Sequence, residues 1–325
     1  ADKEIAVLLR RSITGLWGVG WDALSALEGA RIGMPGTAGL GIDGAIPEPY
    51  ENDEPYIFHF PDGNASIARL LMRALRPDVL PGGSMEDALA ARARYNLLDT
   101  EDKDVRIRLN STAVKAQNAD DGVDVTYVKD GEAFGVRGKK AIYAGYLHML
   151  PYIAPEMDAV QRAATEKLEK IPLVYTNVAL RNWRAFEKAG YHRLYSPQGF
   201  FESISLDFPV SMGGVKFSRS PDNPVIAHLQ HVPTEPGLPE REQHRAGRAK
   251  LYQMTFEDFE MAIVEQMTGM LGAYGFDADR DIAGITVNRW PHGYAYEYNE
   301  LYDPWVWSPD DGPHIAARKP LGRIA

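Results

Sequence analysis

Apolar and polar residues alternate between positions 105 and 136, and this alternation constrains the fold more than any other feature of the sequence. Three runs with a period of two follow one another, at residues 105–109, 123–127 and 133–136. The turn sequences Asp120-Asp121-Gly122 and Lys129-Asp130-Gly131 flank the second run, and such sequences are typical of β-hairpins. The segment is therefore predicted to form an antiparallel β-meander.

Strands and helices are both predicted outside this segment. Apolar or alternating runs predict strands at residues 140–144, 173–180, 200–208 and 225–229. Apolar residues at helical spacing predict helices at 67–75, 155–170 and 256–271. The last helix has a capping-box sequence at Thr255 and Asp258 and a glycine, Gly272, at its expected end. These elements predict an α/β chain, strictly α+β, in which helices back a mixed or antiparallel sheet.

An aromatic stretch at residues 285–307 is the strongest candidate for a binding site. Tyr294, Tyr296 and Tyr298 alternate, so an extended chain would place their rings on one face. Aromatic faces beside carboxylates such as Glu297 attract organic cations, with roughly 0.5–2 kcal/mol for each ring. The alternative is an aromatic-rich core strand and turn without a ligand.

Glu202 is the second candidate, because it interrupts an apolar row. In an extended 200–208, Glu202 shares a face with Phe200, Ile204, Leu206 and Phe208. An unpaired carboxylate there would be costly. Glu202 is therefore predicted either to pair with a substrate ammonium or to lie at a strand end and reach water.

The composition excludes several classes of function. The 325 residues are 45% hydrophobic and carry a net charge of -10, which argues against a nucleic-acid partner because phosphate contacts need clustered Lys and Arg. The chain contains no cysteine, so it has no disulfide and no thiolate metal site. It contains no apolar run long enough to span a membrane. The compartment stays open, with a soluble chain of the periplasm or the cytoplasm as the expectation.

Common cofactor and catalytic motifs are absent from the sequence. There is no G-x-G-x-x-G after a strand, no phosphate-binding G-x-x-x-x-G-K-[ST], no H-E-x-x-H and no G-x-S-x-G. His228 and His231 are three residues apart in a predicted strand, so they are expected on opposite faces. No metal site is predicted.

Five stretches resemble the spermidine dehydrogenase-like branch of the flavin-containing amine oxidases. Arg289-Trp-Pro-His-Gly-Tyr-Ala-Tyr-Glu-Tyr-Asn299 resembles the late motif of that branch. The other stretches lie at residues 56–69, 106–112, 174–183 and 207–214. They occur in the order of the family and span nearly the whole chain. The resemblance implies FAD-dependent oxidation of an amine, with a polyamine such as spermidine as the leading substrate, by hydride transfer to flavin N5.

The resemblance also implies roles for individual residues. The turn at Pro61, Asp62 and Gly63 would neighbour the flavin, and Ala113 and Val114 would lie near its adenine side. Lys216 would hold a water near the flavin, as the catalytic residue. The substrate amine would contact an aromatic wall and two carboxylates, made up of Trp290, His292, Tyr294, Tyr296, Tyr298, Glu202 and Glu297.

The same resemblance gives the predicted organisation of the chain. Residues 1–55 would be a helical and irregular part of the substrate domain, 56–150 a part of the FAD-binding domain, 151–289 the substrate-binding domain and 290–325 an aromatic motif returning towards the FAD domain. Because the sequence lacks the G-x-G-x-x-G motif that binds the pyrophosphate, we expect the remainder of the flavoenzyme to be present in cis or as a second chain. The resemblance allows a haem as well. The alternative is a non-catalytic amine-binding or scaffold subunit without its own flavin.

Overall fold

The computed structural model describes residues 3–36, 59–304 and 310–325. In these ranges the helices are α1 (Lys3–Leu9), α2 (Thr14–Trp17), α3 (Ala26–Arg31), α4 (Ala65–Leu75), α5 (Met85–Ala90), α6 (Leu150–Ile153), α7 (Ala159–Glu166), α8 (Arg184–Ala189), α9 (Glu240–Gln253), α10 (Phe256–Leu271), α11 (Ala278–Asp281) and α12 (Pro313–Ala317). The strands are β1 (Thr112–Asn118), β2 (Val123–Lys129), β3 (Glu132–Gly138), β4 (Ile171–Leu180), β5 (Arg193–Tyr195), β6 (Ser203–Asp207), β7 (Val225–His231) and β8 (Ile282–Tyr294). None of the helices described is long and apolar enough to cross a membrane.

The chain divides into two units. The sheet unit comprises Ala1–Gly63 and Lys170–Pro304, and the meander unit comprises Asn64–Glu169 and Trp305–Ala325. Both units combine antiparallel sheet with helices, so the predicted α+β class is confirmed. The predicted functional division at residues 55, 150 and 289 stays a prediction.

The sheet unit is built on a five-stranded sheet in the order β5-β6-β7-β4-β8, in which every neighbouring pair is antiparallel. One face of this sheet packs against α8 and α10 and forms the main core. The buried side chains of that core include Val178, Ile204, Leu206, Ala227, Leu229, Phe186, Phe259, Ile263 and Met267. The opposite face is polar, and among the described residues no comparable layer of buried apolar helix residues packs on it.

Helix α10 begins and ends where its sequence predicts. The Thr255 hydroxyl accepts a hydrogen bond from the backbone N–H of Asp258, at 3.3 Å, and the Asp258 carboxylate accepts one from the N–H of Thr255, at 2.8 Å. These bonds satisfy N–H groups that have no partner inside the helix. The helix ends at Leu271, with Gly272 as its C-cap. The apolar stripe of α10 packs against the sheet.

The meander unit contains the predicted antiparallel meander, in the order β1-β2-β3. Two of the predicted strands were wrong. The first strand is β1 rather than residues 105–109, because the backbone N–H of Ile107 donates to Leu98, at 2.8 Å, instead of to a neighbouring strand. Residues 140–144 form only a bridge, in which Ala141 pairs with Ile324.

Two predicted helices of the meander unit are present, but one is shorter than predicted and the other has an exposed apolar stripe. The helix predicted at 155–170 is the shorter α7, because Asp158 caps it by accepting from the N–H of Gln161, at 2.7 Å. Helix α4 has the predicted apolar stripe, but Ile67, Leu71 and Leu75 on it are exposed. An apolar stripe of this kind normally packs against a partner.

Candidate functional site: the polar face of the sheet

Cross-strand pairing gathers polar side chains on the face of the sheet opposite the helices. Residues directly opposite each other in antiparallel strands point to the same face. One row across the sheet consists of Tyr195, Ser203, Gln230, Tyr175 and Asn288. The next consists of Arg193, Ser205, His228, Asn177 and Thr286. We call this surface the polar face.

His228 lies in the middle of the polar face. Its Nδ1 is 2.8 Å from the side-chain oxygen of Asn177, which can only accept, so Nδ1 carries the proton. The ring of Tyr175 meets the His228 ring edge to face, with centroids 4.9 Å apart. Burial lowers the pKa of His228, a shift that the charge of Asp207 partly opposes. The imidazole is therefore neutral at pH 7, and its Nε2 keeps a lone pair that can accept a hydrogen bond or a proton.

A cleft of about 470 Å³ lies at one end of the polar face, and it brings together two residues that the sequence predicts on the flavin side. Pro61 and Lys216 both line it, although they are far apart in the sequence. Its walls are largely apolar, and its charged groups are Lys216, Arg181 and Asp207. Asp207 is 2.7 Å from Nε2 of His59. We call this the Lys216 cleft.

The Lys216 cleft fits part of a flavin. Its volume lies within the range of roughly 300–1,000 Å³ that is common for ligand pockets, and apolar walls with cationic groups suit a flat ring that becomes negatively charged on reduction. The turn beside it is tight, because Gly63 has a φ of 60° and its N–H donates to Phe60, at 2.9 Å. Among the described residues, however, no glycine-rich turn leads straight from a strand into a helix. The residues of the cleft therefore fit the flavin ring, but the described residues provide no turn with backbone N–H groups that would bind the pyrophosphate.

The other predicted cofactor residues give a less specific result. Ala113 and Val114 lie in β1 of the meander unit, where the register shifts between Ala113 and Lys115. Val114 is exposed. Asp62 lies in the same turn as Pro61, at the end of the first segment of the sheet unit. Their contacts with FAD stay a prediction.

A second cleft, of about 290 Å³, joins two residues of the predicted substrate set, Glu202 and Tyr294. We call it the Glu202 cleft. Glu202 directly precedes β6 and is buried, so the alternative in which it reaches water at a strand end is wrong. Its carboxylate forms a salt bridge with Arg11 and accepts from the N–H of Val232, at 3.1 Å. His231 lies 3.5 Å from the same carboxylate. Glu202 is thus already paired with a cation of the chain.

The aromatic stretch is only partly an extended wall. Trp290 and Tyr294 lie in β8, opposite Leu173 and Ile171 of β4, and the hydroxyls of Tyr294 and Tyr175 are in contact. The strand ends at Tyr294, so the expected alternation does not continue to Tyr296 and Tyr298. Trp290 is 48% exposed and Tyr294 is 39% exposed. Of the tryptophan and tyrosine residues predicted to bind the substrate, these two are therefore the most exposed.

Tyr296 takes part in a buried polar network instead. Its hydroxyl donates to Asp303, at 2.6 Å, and the Arg241 guanidinium lies 4.2 Å from its ring centroid. A cation of the chain therefore occupies the ring face that was predicted for the substrate. Tyr298 donates to the carbonyl of Pro304, at 3.0 Å. Roles for both tyrosines in amine binding stay predictions.

Of the remaining predicted residues, His292 is half-buried and Glu297 is exposed. Burial of part of its side chain raises the pKa of Glu297. Within the described ranges, no hydrogen bond or ion pair engages the Glu297 carboxylate. Glu300 differs, because it accepts from the Ser25 hydroxyl at 2.7 Å and from Arg31 at 3.0 Å. Trp305 and Trp307, at the end of the stretch, lie outside the described residues.

Glu240, at the start of α9, holds the Tyr296 network in place. It is fully buried and accepts from the side-chain amide of Asn299, at 2.9 Å. Asn299 also donates to the carbonyl of Ala23, at 2.7 Å. Burial, and to a lesser extent the charge of Asp303, raise the pKa of Glu240, whereas Asn299 and Arg241 lower it, and the net result is a pKa of about 8. The carboxyl group is therefore largely protonated at neutral pH.

Replacing Glu240 by glutamine is expected to flatten the dependence of stability on pH. A carboxyl group whose pKa is higher in the folded chain stabilises it fully below the unfolded value and loses that contribution as the pH rises towards about 8. The loss is about 1.4 kcal/mol for each pH unit within this window. Urea unfolding from pH 5 to pH 8 measures the difference between wild type and Glu240→Gln. Parallel curves for the two proteins would contradict a raised pKa.

Sequence reasoning missed several residues of the polar face. Tyr175, Asn177, His228 and Arg193 were not candidates, although the alternation in β4 places Tyr175 and Asn177 on one face. That signal could have identified them. The prediction that His228 and His231 point to opposite faces is confirmed, since His231 stacks on Phe200, with ring centroids 4.1 Å apart. The residues described contain no group of three or more His, Asp or Glu side chains that could hold a metal ion.

Comparison with known proteins gives weak similarities only. No protein-family model matches the chain, and no curated protein matches it significantly. Among solved structures it is similar to putrescine oxidase bound to putrescine, with a TM-score of 0.39 and 11% identity over 66% of this chain and 42% of that one. It is also similar to cyclohexylamine oxidase from Brevibacterium oxydans, with a TM-score of 0.41 and 12% identity over 65% and 41%. The chain spans less than half the length of either protein.

Proposed function

We propose that the chain is the substrate-binding part of an FAD-dependent amine dehydrogenase or oxidase. The observation that carries this proposal is the Lys216 cleft, because Pro61 and Lys216 line it together. The family resemblance implied a place near the flavin for both residues, without any information about the distance between them. The cleft also opens on the polar face, where a substrate would find hydrogen-bonding groups.

A bound flavin would accept a hydride from the carbon next to the amine nitrogen. The residues of the chain then have to deprotonate and orient the amine. The neutral imidazole of His228 can accept a proton at Nε2 from a substrate ammonium, while Asn177 holds the ring by its Nδ1–H. Lys216 can hold a water molecule by hydrogen bonding, and that water can hydrolyse the imine product.

We further propose that the substrate is a polyamine such as spermidine. Trp290 offers a half-exposed ring face, and Glu297 offers an exposed carboxylate. Glu202 is less suited to the distal ammonium, since Arg11 already neutralises it. The net charge of -10 favours a cationic substrate over an anionic one at long range.

Replacing Trp290 by alanine is expected to weaken spermidine binding with little change in thermal stability. Loss of one cation–π contact corresponds to roughly a threefold to thirtyfold rise in Kd. Calorimetric titration and a melting curve measure the two effects. Trp21→Ala is a matched control, because Trp21 is a second half-exposed tryptophan, 37% exposed. Unchanged spermidine affinity in Trp290→Ala would contradict the proposed aromatic contact.

We also propose that the remainder of the flavoenzyme, in cis or as a second chain, completes the cofactor site. This proposal is supported by the absence, among the described residues, of a glycine-rich turn that would bind the pyrophosphate. The exposed apolar stripe of Ile67, Leu71 and Leu75 on α4 also supports it, because such a stripe is stabilised when another surface covers it.

The alternative proposal is a non-catalytic amine-binding or scaffold subunit. It is favoured by one observation, namely that the described residues offer no phosphate-binding turn. The visible spectrum of the chain, purified with whatever binds to it, separates the two proposals. Yellow flavin absorption supports the enzyme. A colourless protein that binds spermidine and stays colourless after incubation with FAD supports the subunit.

A further inference from the structure

The described residues that line the Glu202 cleft carry a net positive charge. Among them Glu202 is the one acidic residue, and Arg11 and Arg193 line the cleft as well. The charges of Arg11 and Glu202 cancel, because the two side chains form a salt bridge. Arg11 also donates to the carbonyls of Gly199 and Phe200. The guanidinium of Arg193 is thus the charge that remains.

Three hydrogen-bond donors in this cleft are unused, and they are neighbours on the polar face. Arg193 is two residues before Tyr195 on β5, Tyr195 lies opposite Ser203, and Ser203 lies opposite Gln230. Across the described ranges, no hydrogen bond or ion pair engages the side chains of Arg193, Ser203 or Gln230. Other hydroxyls of the cleft are occupied, since Tyr195 donates to Leu8 at 2.9 Å and Thr14 to Arg11 at 2.9 Å.

We propose that the Glu202 cleft is a binding site for the carboxylate group of a small molecule, held by Arg193, Ser203 and Gln230. A guanidinium presents paired N–H donors whose geometry matches the two oxygens of a carboxylate. The hydroxyl of Ser203 and the amide of Gln230 supply further donors beside it. Tyr294 contributes an apolar ring to the same cleft, which suits an aromatic or aliphatic body behind the carboxylate.

The proposed carboxylate site would exist whether or not the chain takes part in amine oxidation. It does, however, limit which amine could be the substrate of that reaction. An ammonium group in the cleft would meet the uncompensated charge of Arg193, so a polyamine gains nothing there. If the ligand of this cleft is also the substrate of the flavoenzyme, that substrate is an amino acid.

Benzoate, benzamide and benzylamine test the proposal, because they share one ring and differ in the charge of one group. In calorimetric titrations at low salt, benzoate is expected to bind about tenfold more tightly than either of the others. Arg193→Gln is expected to weaken benzoate binding by about tenfold. Arg92→Gln is the matched control, since it removes the same charge from an exposed arginine of the meander unit.

Gly15→Ala provides a second variant that leaves Arg193 in place. An alanine Cβ at position 15 would lie 2.6 Å from Nε2 of Gln230, so the amide has to turn away. Benzoate affinity is expected to fall about threefold, while the melting temperature holds or rises because alanine favours α2. Undetectable benzoate binding, equal affinity for the three probes or wild-type affinity in Arg193→Gln would overturn the proposal. Tighter binding of inorganic phosphate than of benzoate would overturn the carboxylate assignment.

Discussion

Replacing Glu202 by glutamine is expected to lower the free energy of unfolding by about 3–5 kcal/mol. Glu202 is buried, and its carboxylate is the partner of the Arg11 guanidinium. Glutamine has nearly the same shape but no charge, so the variant leaves a largely buried guanidinium without a counter-ion. It also weakens the hydrogen bond from the N–H of Val232. Urea unfolding followed by circular dichroism measures the loss.

Glu235→Gln is the control for this experiment. Glu235 pairs with Lys250, but both side chains are exposed to solvent, and ion pairs of that kind contribute about 0–1 kcal/mol. A second check is the double variant Arg11→Met with Glu202→Met, which removes both charges and should recover much of the loss. If Glu202→Gln is as stable as Glu235→Gln, the carboxylate does not stabilise the fold and is free to bind a substrate ammonium.

Replacing Phe259 by alanine is expected to destabilise the sheet unit by about 3–5 kcal/mol. Phe259 is 1% exposed and belongs to the core between α10 and the sheet. Its ring meets that of Phe200 edge to face, with centroids 5.8 Å apart. The variant removes the transfer free energy of the ring and leaves a cavity that the rigid sheet cannot fill.

Phe256→Ala is the control on the same helix. Phe256 is 47% exposed, so the same change of residue type there should cost less than about 1 kcal/mol. Thermal or urea unfolding of the two variants gives the comparison. Similar losses at both positions would mean that α10 does not present its Phe259 side to the sheet.

The sequence predicted elements whose signals are local. The ends of α10 follow from the capping residues Thr255 and Asp258 and from Gly272. The strands β4 and β7 follow from period-two patterns, and the structure extends each by two residues. Local patterns carry this information because helix caps and strand faces depend on residues within a few positions.

The wrong or incomplete predictions concern contacts between distant parts of the chain. The alternation at residues 105–109 is strand-like, but Arg106 pairs with Asp99, at 2.6 Å, and Ile107 donates to Leu98. Similarly, no local pattern indicates that Arg11 neutralises Glu202 or that Arg241 covers the ring of Tyr296. These pairings depend on tertiary packing, which sequence periodicity does not report.

The candidate site was predictable in its parts rather than in its arrangement. The alternation at 200–208 selected Glu202, and the family resemblance selected Pro61, Lys216 and Tyr294. The structure distributes these four residues between two clefts at the polar face. The residues between those clefts, including His228 and Asn177, are spread over β4 and β7. Only the register of the antiparallel strands brings them together.

Anaerobic mixing of the flavin-containing protein with spermidine tests the central claim most directly. The account predicts that the yellow absorption of the flavin is lost as the amine is oxidised, and that Lys216→Met and His228→Asn slow this loss without releasing the flavin. A panel that includes an amino acid and a monoamine identifies the substrate class. Flavin absorption that stays unchanged with every amine of the panel would contradict the claim.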